Sequence, residues 1–217
     1  GLRVVGKNIA DIKVVGSGAG AASIACLDLL VSMGLPRENI SLVDRTGVIY
    51  KGRESGMNPW KEKYAQQTDA RTLAEAMVDA DLFMGLSGPG LLTQDMVKCM
   101  AKDPLILAMS NPTPEIMPEE ALAVRPDAIV ATGRSDYPNQ VNNVLCFPFI
   151  FRGALDCGAT TINEAMKQAC VKAIADLACK EATDVVAQAY KGEAFRFGRE
   201  YLIPKPFESR LIEEVPV

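Results

Sequence analysis

The chain has 217 residues and a net charge of −4, with no long run of like charge. That length holds one large domain or two small ones, and the charge balance excludes an electrostatic nucleic-acid surface. No apolar run reaches the roughly 18 residues a membrane-spanning helix needs, and no secretory signal is visible. Histidine is absent, and six cysteines are scattered without a C-x-x-C pair. A zinc site is therefore not expected, and reduced, buried thiols in a cytoplasmic protein are the simplest account. Without histidine, any acid–base chemistry must use another residue type or another part of the protein. The chain starts Gly1-Leu-Arg and reaches its first strand almost at once. This points to a piece of a longer polypeptide, with a processed or tagged chain as the alternative, and Gly1 to Asn8 reads as a helix end plus its exit turn.

Short apolar runs suited to buried parallel strands recur at Ile12–Val15, Ile40–Val43, Leu82–Leu86, Leu105–Met109 and Ala128–Ala131. Helical patterns lie between them. Ala19–Met33 is one, with Gly34 past its end as a C-cap. Thr72 and Glu75 form a capping-box pattern ahead of Leu73–Asp79. Thr93 caps Gln94–Met100, and Pro118–Val124 opens with proline and two glutamates. Arg45 to Asp69 is polar and aperiodic, with one helical turn near Pro59–Ala65. After Phe151 the pattern is helical only: roughly Phe149–Asp156, then Asn163 to about Ala178, then Asp184–Tyr190. Residues 194–217 read as an extended tail or linker. The alternation implies an α/β fold with a doubly wound parallel sheet and right-handed crossovers, plus additional C-terminal helices. The expected organisation is a core over 1–150, with 151–217 as helices and tail packed on it.

In such a sheet, ligands bind where strands end. After strand one comes Gly16-Ser-Gly18-Ala19-Gly20-Ala21, which fits the G-x-G-x-x-A dinucleotide fingerprint of Rossmann-like folds. Gly16 permits the tight turn, Gly18 lets the backbone approach a pyrophosphate, and Ala21 keeps helix and strand in contact. The helix N-terminus supplies N–H donors for the phosphates. Strand two ends in Asp44, where a ribose-binding carboxylate belongs, although an ordinary strand-end acid fits the same pattern. Later strand-end loops are Ser87-Gly88-Pro-Gly90, Ser110-Asn111-Pro-Thr-Pro-Glu115 and Thr132-Gly-Arg134-Ser-Asp136. Asn111 sits in a proline-stiffened loop, as a ligand-facing amide or the side chain of an Asx-type turn. Asn139-Gln-Val-Asn142-Asn143 concentrates amides ahead of a buried stretch. Arg134 reads as a surface residue ahead of the alternative, a phosphate or carboxylate clamp, and neither Asp136 nor Glu115 receives an acid–base role.

Together, Val15-Gly-Ser-Gly-Ala-Gly-Ala-Ala-Ser-Ile-Ala25, Val43-Asp-Arg-Thr-Gly-Val-Ile-Tyr-Lys-Gly-Arg53, Ser110-Asn-Pro-Thr-Pro-Glu115 and Gly133-Arg-Ser-Asp-Tyr-Pro-Asn-Gln-Val-Asn-Asn-Val-Leu-Cys-Phe-Pro148 resemble the dinucleotide-binding half of a bacterial malic enzyme. The resemblance covers about residues 1–210. The segment around Tyr201–Phe207 is similar to the one that leads toward a phosphotransacetylase-like domain in multimodular members. Malic enzymes oxidise malate with NAD or NADP and a divalent cation, Mg or Mn, and decarboxylate the product to pyruvate. The resemblance implies malate contacts at Asn111, Asn142 and Asn143. It implies cofactor contacts at Gly16, Gly18, Ala19, Gly20, Ala21, Asp44, Arg45, Ser87 and Gly88. It places the tyrosine acid, the lysine base and the carboxylate metal ligands upstream, in an N-terminal malic-enzyme domain; Lys7 and Lys13 do not fit the base's motif. The chain is thus expected to hold no catalytic residue or metal ligand and to show no malate oxidation alone, while the complete enzyme is expected to be a homo-oligomer. Asp44 favours NAD, whereas Arg45, Lys51 and Arg53 lie close enough in sequence to neutralise a 2′-phosphate, and the resemblance tips the expectation slightly to NADP. A stand-alone dinucleotide-binding or regulatory module is the competing class.

Overall fold

All five apolar runs expected to be parallel strands enter one sheet in the computed structural model, which describes residues 1–181, 184–190 and 195–217. The strands are β1 (Val14–Ser17), β2 (Ile40–Asp44), β3 (Gly47–Val48), β4 (Leu82–Gly85), β5 (Leu105–Ala108) and β6 (Ile129–Thr132). Their spatial order is β3-β2-β1-β4-β5-β6. All neighbours are parallel except β3, which runs antiparallel to β2 with Gly47 opposite Asp44. β1 lies between β2 and β4, with Gly16 opposite both Leu42 and Met84. The chain therefore leaves β1 toward one side and later returns to the other. That reversal opens a crevice at the carboxyl ends of the strands, the usual ligand position in a doubly wound sheet.

Every residue of β1, β4 and β6 is buried, which explains their continuous apolar character. Phe83 and Ile106, from the central strands, are fully buried with Val15, Met77 and Val97 in one core. β1 starts two residues later than the sequence pattern implies, because Asp81 takes the Lys13 N–H at 2.8 Å before the ladder begins. A short helix, α1 (Leu2–Val5), precedes it and closes on Gly6 at φ +69°. α2 (Ala21–Ser32) begins two residues after the expected Ala19, because Gly20 stays extended as its N-cap (φ −85°, ψ −179°).

Arg45 to Asp69 is more ordered than its aperiodic sequence implies: it holds β3 and α3 (Pro59–Glu62), which is capped by the Asn58 carboxamide. The Thr72–Glu75 capping box forms at α4 (Leu73–Met77), and the Thr93 hydroxyl accepts from the Met96 N–H at α5 (Gln94–Lys98). α6 (Pro118–Val124) has the expected bounds.

The chain divides into two compact units, Gly1–Tyr137 and Pro138–Val217; this division precedes the expected 150/151 boundary. The second unit holds a 3₁₀ turn at Asn143–Leu145, α7 (Phe147–Asp156), α8 (Glu164–Ala178), α9 (Asp184–Ala189) and α10 (Leu211–Glu214). Its core contains Leu145, Cys170, Leu177, Leu211 and Val215. The supposed extended tail starts at Ala194, outside the described residues, and contains α10 instead of remaining extended throughout. No helix among the described residues is long and apolar enough to cross a membrane.

Phe83 at the centre of the sheet sets the stability of the first unit. Phe83→Ala should lower unfolding free energy by about 3–5 kcal/mol in urea titration; a loss under about 1 kcal/mol would contradict the packing described.

Candidate functional site

The turn after β1 is shaped by what a side chain would strike there. Gly18 has φ +95°, and an added Cβ would stand 2.4 Å from the Leu86 carbonyl oxygen. Its N–H donates to the Val43 carbonyl at 2.8 Å, so the turn is tied to β2 while brushing the end of β4. An added Cβ on Gly20 meets nothing within 4 Å; that open space lies directly before α2. The first-turn N–H groups of Ala21, Ala22 and Ser23 have no acceptor four residues back, because helix geometry provides none. Ser23 adds a buried hydroxyl without a partner among the described residues. An extended backbone, open space and donors at the positive end of a twelve-residue helix fit a pyrophosphate.

A cleft of about 1040 Å³ opens over this turn. Gly18, Ala19, Gly20, Asp44, Arg45, Ser87 and Gly88 line it, while Gly16 lies below in β1 and Ala21 opens α2. The structure thus gathers the sequence-derived cofactor residues around one crevice. It also contributes two cations that the sequence patterns did not single out, Lys61 and Arg71. Asp44 is the sole acid among the lining residues.

Asp44 is already engaged. Arg53 Nη2 donates to both its oxygens, at 2.7 and 2.8 Å. Lys61 Nζ donates to Oδ2 at 2.7 Å, and the Thr46 N–H to Oδ1 at 2.8 Å. The Arg53 side chain is only 4% exposed, and its other N–H groups reach the carbonyls of Ser55, Gly47 and Val48. Burial pushes the Asp44 carboxyl up, but the hydrogen bonds from Lys61, Arg53 and Thr46 outweigh it and hold the group below its ordinary value. A ribose hydroxyl seeking Asp44 must compete with these bonds. The cluster of Asp44, Arg53 and Lys61 carries net positive charge, to which the lining residues Arg45 and Arg71 add. Arg45 is exposed with no partner among the described residues. Arg71 lies 3.7 Å from the Tyr50 ring centroid and donates to the carbonyls of Thr68 and Ala70.

The amides have different surroundings. Asn111 is exposed in the β5-end loop, before Pro112. Asn142 caps the 3₁₀ turn, its side-chain oxygen accepting from the Val144 N–H at 3.0 Å. Asn143 is exposed, and neither it nor Asn111 has a side-chain hydrogen bond among the described residues. Asn139 is buried and bridges the Arg199 carbonyl and the Leu202 N–H, a structural link within the second unit. Arg134 pairs with Asp136 near the surface. Among the described residues no group of three acidic, cysteine or histidine side chains is placed to hold a metal ion, so these residues do not fit a divalent-cation site.

Strand order, glycine turn and cleft define a dinucleotide-binding domain of the Rossmann class. The family model for the malic enzyme NAD-binding domain matches residues 1–188, and the chain belongs to that family. It is 63% identical over 99% of its length to an NADP-dependent malic enzyme of Haemophilus influenzae. It is 61% identical over 98% of its length to an NAD-dependent malic enzyme of Rhizobium meliloti. The chain spans 28% of each of these relatives. The crystal structure of malic enzyme from Pyrococcus horikoshii superposes with a TM-score of 0.85 at 34% identity, covering 99% of this chain and 48% of that one.

The Asp44 cluster generates a pH prediction. A carboxyl held below its ordinary value contributes stability that is complete above its unfolded pKa near 4 and is lost as pH falls toward the lower folded value. Asp44→Asn leaves Arg53 buried without its counter-charge and should cost about 3 kcal/mol at pH 7. In urea unfolding the gap between variant and parent should narrow below about pH 4. A gap that stays constant down to pH 3 would contradict this account.

Proposed function

We propose that the chain holds NADP in preference to NAD and serves as the dinucleotide-binding domain of an enzyme that oxidatively decarboxylates malate to pyruvate. The observation that carries the coenzyme choice is the neutralisation of Asp44 by Arg53 and Lys61. An acid free to accept from a ribose 2′-hydroxyl would repel a 2′-phosphate; here it is locked into a cationic cluster beside the Arg45 guanidinium. The family's reaction class and the relatives' names support the malate reading, and those names include both NADP and NAD at similar identity.

The open turn at Gly18–Gly20 and the N-terminus of α2 take the pyrophosphate in this reading. Arg45, Lys61 and Arg71 face the adenosine 2′-phosphate, and the ends of β4 and β5 lie toward the nicotinamide. When bound, NADP supplies the hydride acceptor. Each within its own unit, Asn111 and Asn143 have unengaged amides while the Asn142 oxygen serves the 3₁₀ turn, and only the family resemblance assigns these residues to malate. Proton transfer and cation binding are assigned to an N-terminal malic-enzyme domain. The thiols are all unbridged, which supports a cytoplasmic setting, but only Cys170 is buried, against the expectation of buried thiols.

Calorimetric titration of the chain with both dinucleotides tests this reading. NADP should bind more tightly than NAD. Lys61→Ala should weaken NADP about tenfold while leaving NAD within about twofold, the size expected for one charge-assisted phosphate contact. Equal affinities in the parent would overturn the coenzyme assignment, and binding of neither would overturn the site.

A further inference from the structure

Glu115 is completely buried at the carboxyl edge of the sheet. Its Oε1 accepts from the Ser87 N–H at 3.0 Å and from the Ser87 hydroxyl at 3.3 Å. Its Oε2 accepts from the Ser110 N–H at 3.0 Å. Each polar contact is thus a donor from the loop that follows β4 or the loop that follows β5. The Ser87 hydroxyl also meets the Ser17 hydroxyl at 2.9 Å, extending the chain of bonds to the end of β1. Main-chain bonds close the same seam: Gly90 N–H to the Pro114 carbonyl at 3.1 Å, and Leu92 N–H to the Glu115 carbonyl at 3.0 Å. The seat is built to size, because a Cβ on Gly85 would stand 2.5 Å from the Glu115 carboxyl carbon. No salt bridge reaches Glu115 among the described residues.

Burying an acid without a counter-charge is expensive, and these three donors offset the expense. Joining two loops alone requires no such group, since the main-chain bonds already connect them. What the side chain adds is a fixed direction for the Ser87 backbone, and Ser87 itself is exposed on the cleft. In a sheet of this order the adenosine side lies over β2 and the pyrophosphate over the β1 turn, so the loops after β4 and β5 face the nicotinamide side.

We propose that Glu115 is the positioning residue of the nicotinamide half of the site, holding the Ser87–Gly90 loop in register with the end of β5. It touches no ligand and acts through Ser87. The inference rests on the dinucleotide reading above and adds a division of labour to it. The adenosine half is organised by the Asp44 cluster, and the nicotinamide half by one buried acid.

The test uses two ligands that differ only by the nicotinamide: NADP, and 2′-phospho-ADP-ribose, which lacks it. Glu115→Gln is isosteric but turns an NH₂ group toward a backbone N–H. It should weaken NADP binding about tenfold and leave 2′-phospho-ADP-ribose within about twofold. A merely structural role would weaken both ligands together, and that result overturns the proposal, as does unchanged NADP binding. If E115Q does not fold, Glu115→Asp carries the same test, because its shortened carboxylate cannot span both loops; it should show the same split. A parent chain that binds neither ligand would instead refute the dinucleotide reading, so the two failures are distinguishable.

Discussion

At Gly18 the chain leaves β1 with φ +95°, close enough to the end of β4 that a methyl group would overlap the Leu86 carbonyl oxygen. Only glycine meets both demands, the left-handed backbone and the contact. This close passage lets α2 start immediately over the sheet edge, with its N-terminal donors facing the crevice where strand order reverses. It also brings Ser17 within hydrogen-bonding distance of Ser87. The glycine turn and the Ser87 loop thus meet at one backbone approach that tolerates no side chain.

Around that turn the two sides of the crevice are stabilised by different physics. On the β2 side, Asp44 is embedded among cations, and its charge is spent on Arg53 and Lys61. Removing one partner of such a buried pair strands the other, so the cluster is both a structural link and an electrostatic setting. On the β4–β5 side a single acid is satisfied by backbone and hydroxyl donors alone. Relatives with opposite coenzyme names are almost equally similar to this chain. Overall identity therefore does not distinguish the two coenzymes for this chain.

The fold was largely legible in the sequence because buried parallel strands announce themselves as short apolar runs, and the helices between them carry explicit caps such as Thr72–Glu75 and Thr93. The glycine turn was legible for the same reason: local chemistry dictates it. β3 was not, since two residues are too few to show a period and its pairing with β2 depends on a tight return at Asp44–Gly47. α10 was missed because a four-residue helix held by the Leu211 and Val215 contacts carries no periodic signal. The electrostatics of the site were least visible. Asp44 matched the ribose-acid pattern, but its pairing with Lys61, seventeen residues away, exists only after the loop folds back. Glu115 looked like an isolated acid because its partners are the Ser87 and Ser110 N–H groups and the Ser87 hydroxyl, none of them a charge that pairs with it in sequence.

A crystal structure of the chain with NADP tests the central claim most directly. The account predicts the adenosine 2′-phosphate against Arg45 and Lys61, with Asp44 still paired to Arg53. A ribose 2′-hydroxyl bonded to Asp44, with Arg53 displaced from its carboxylate, would contradict it.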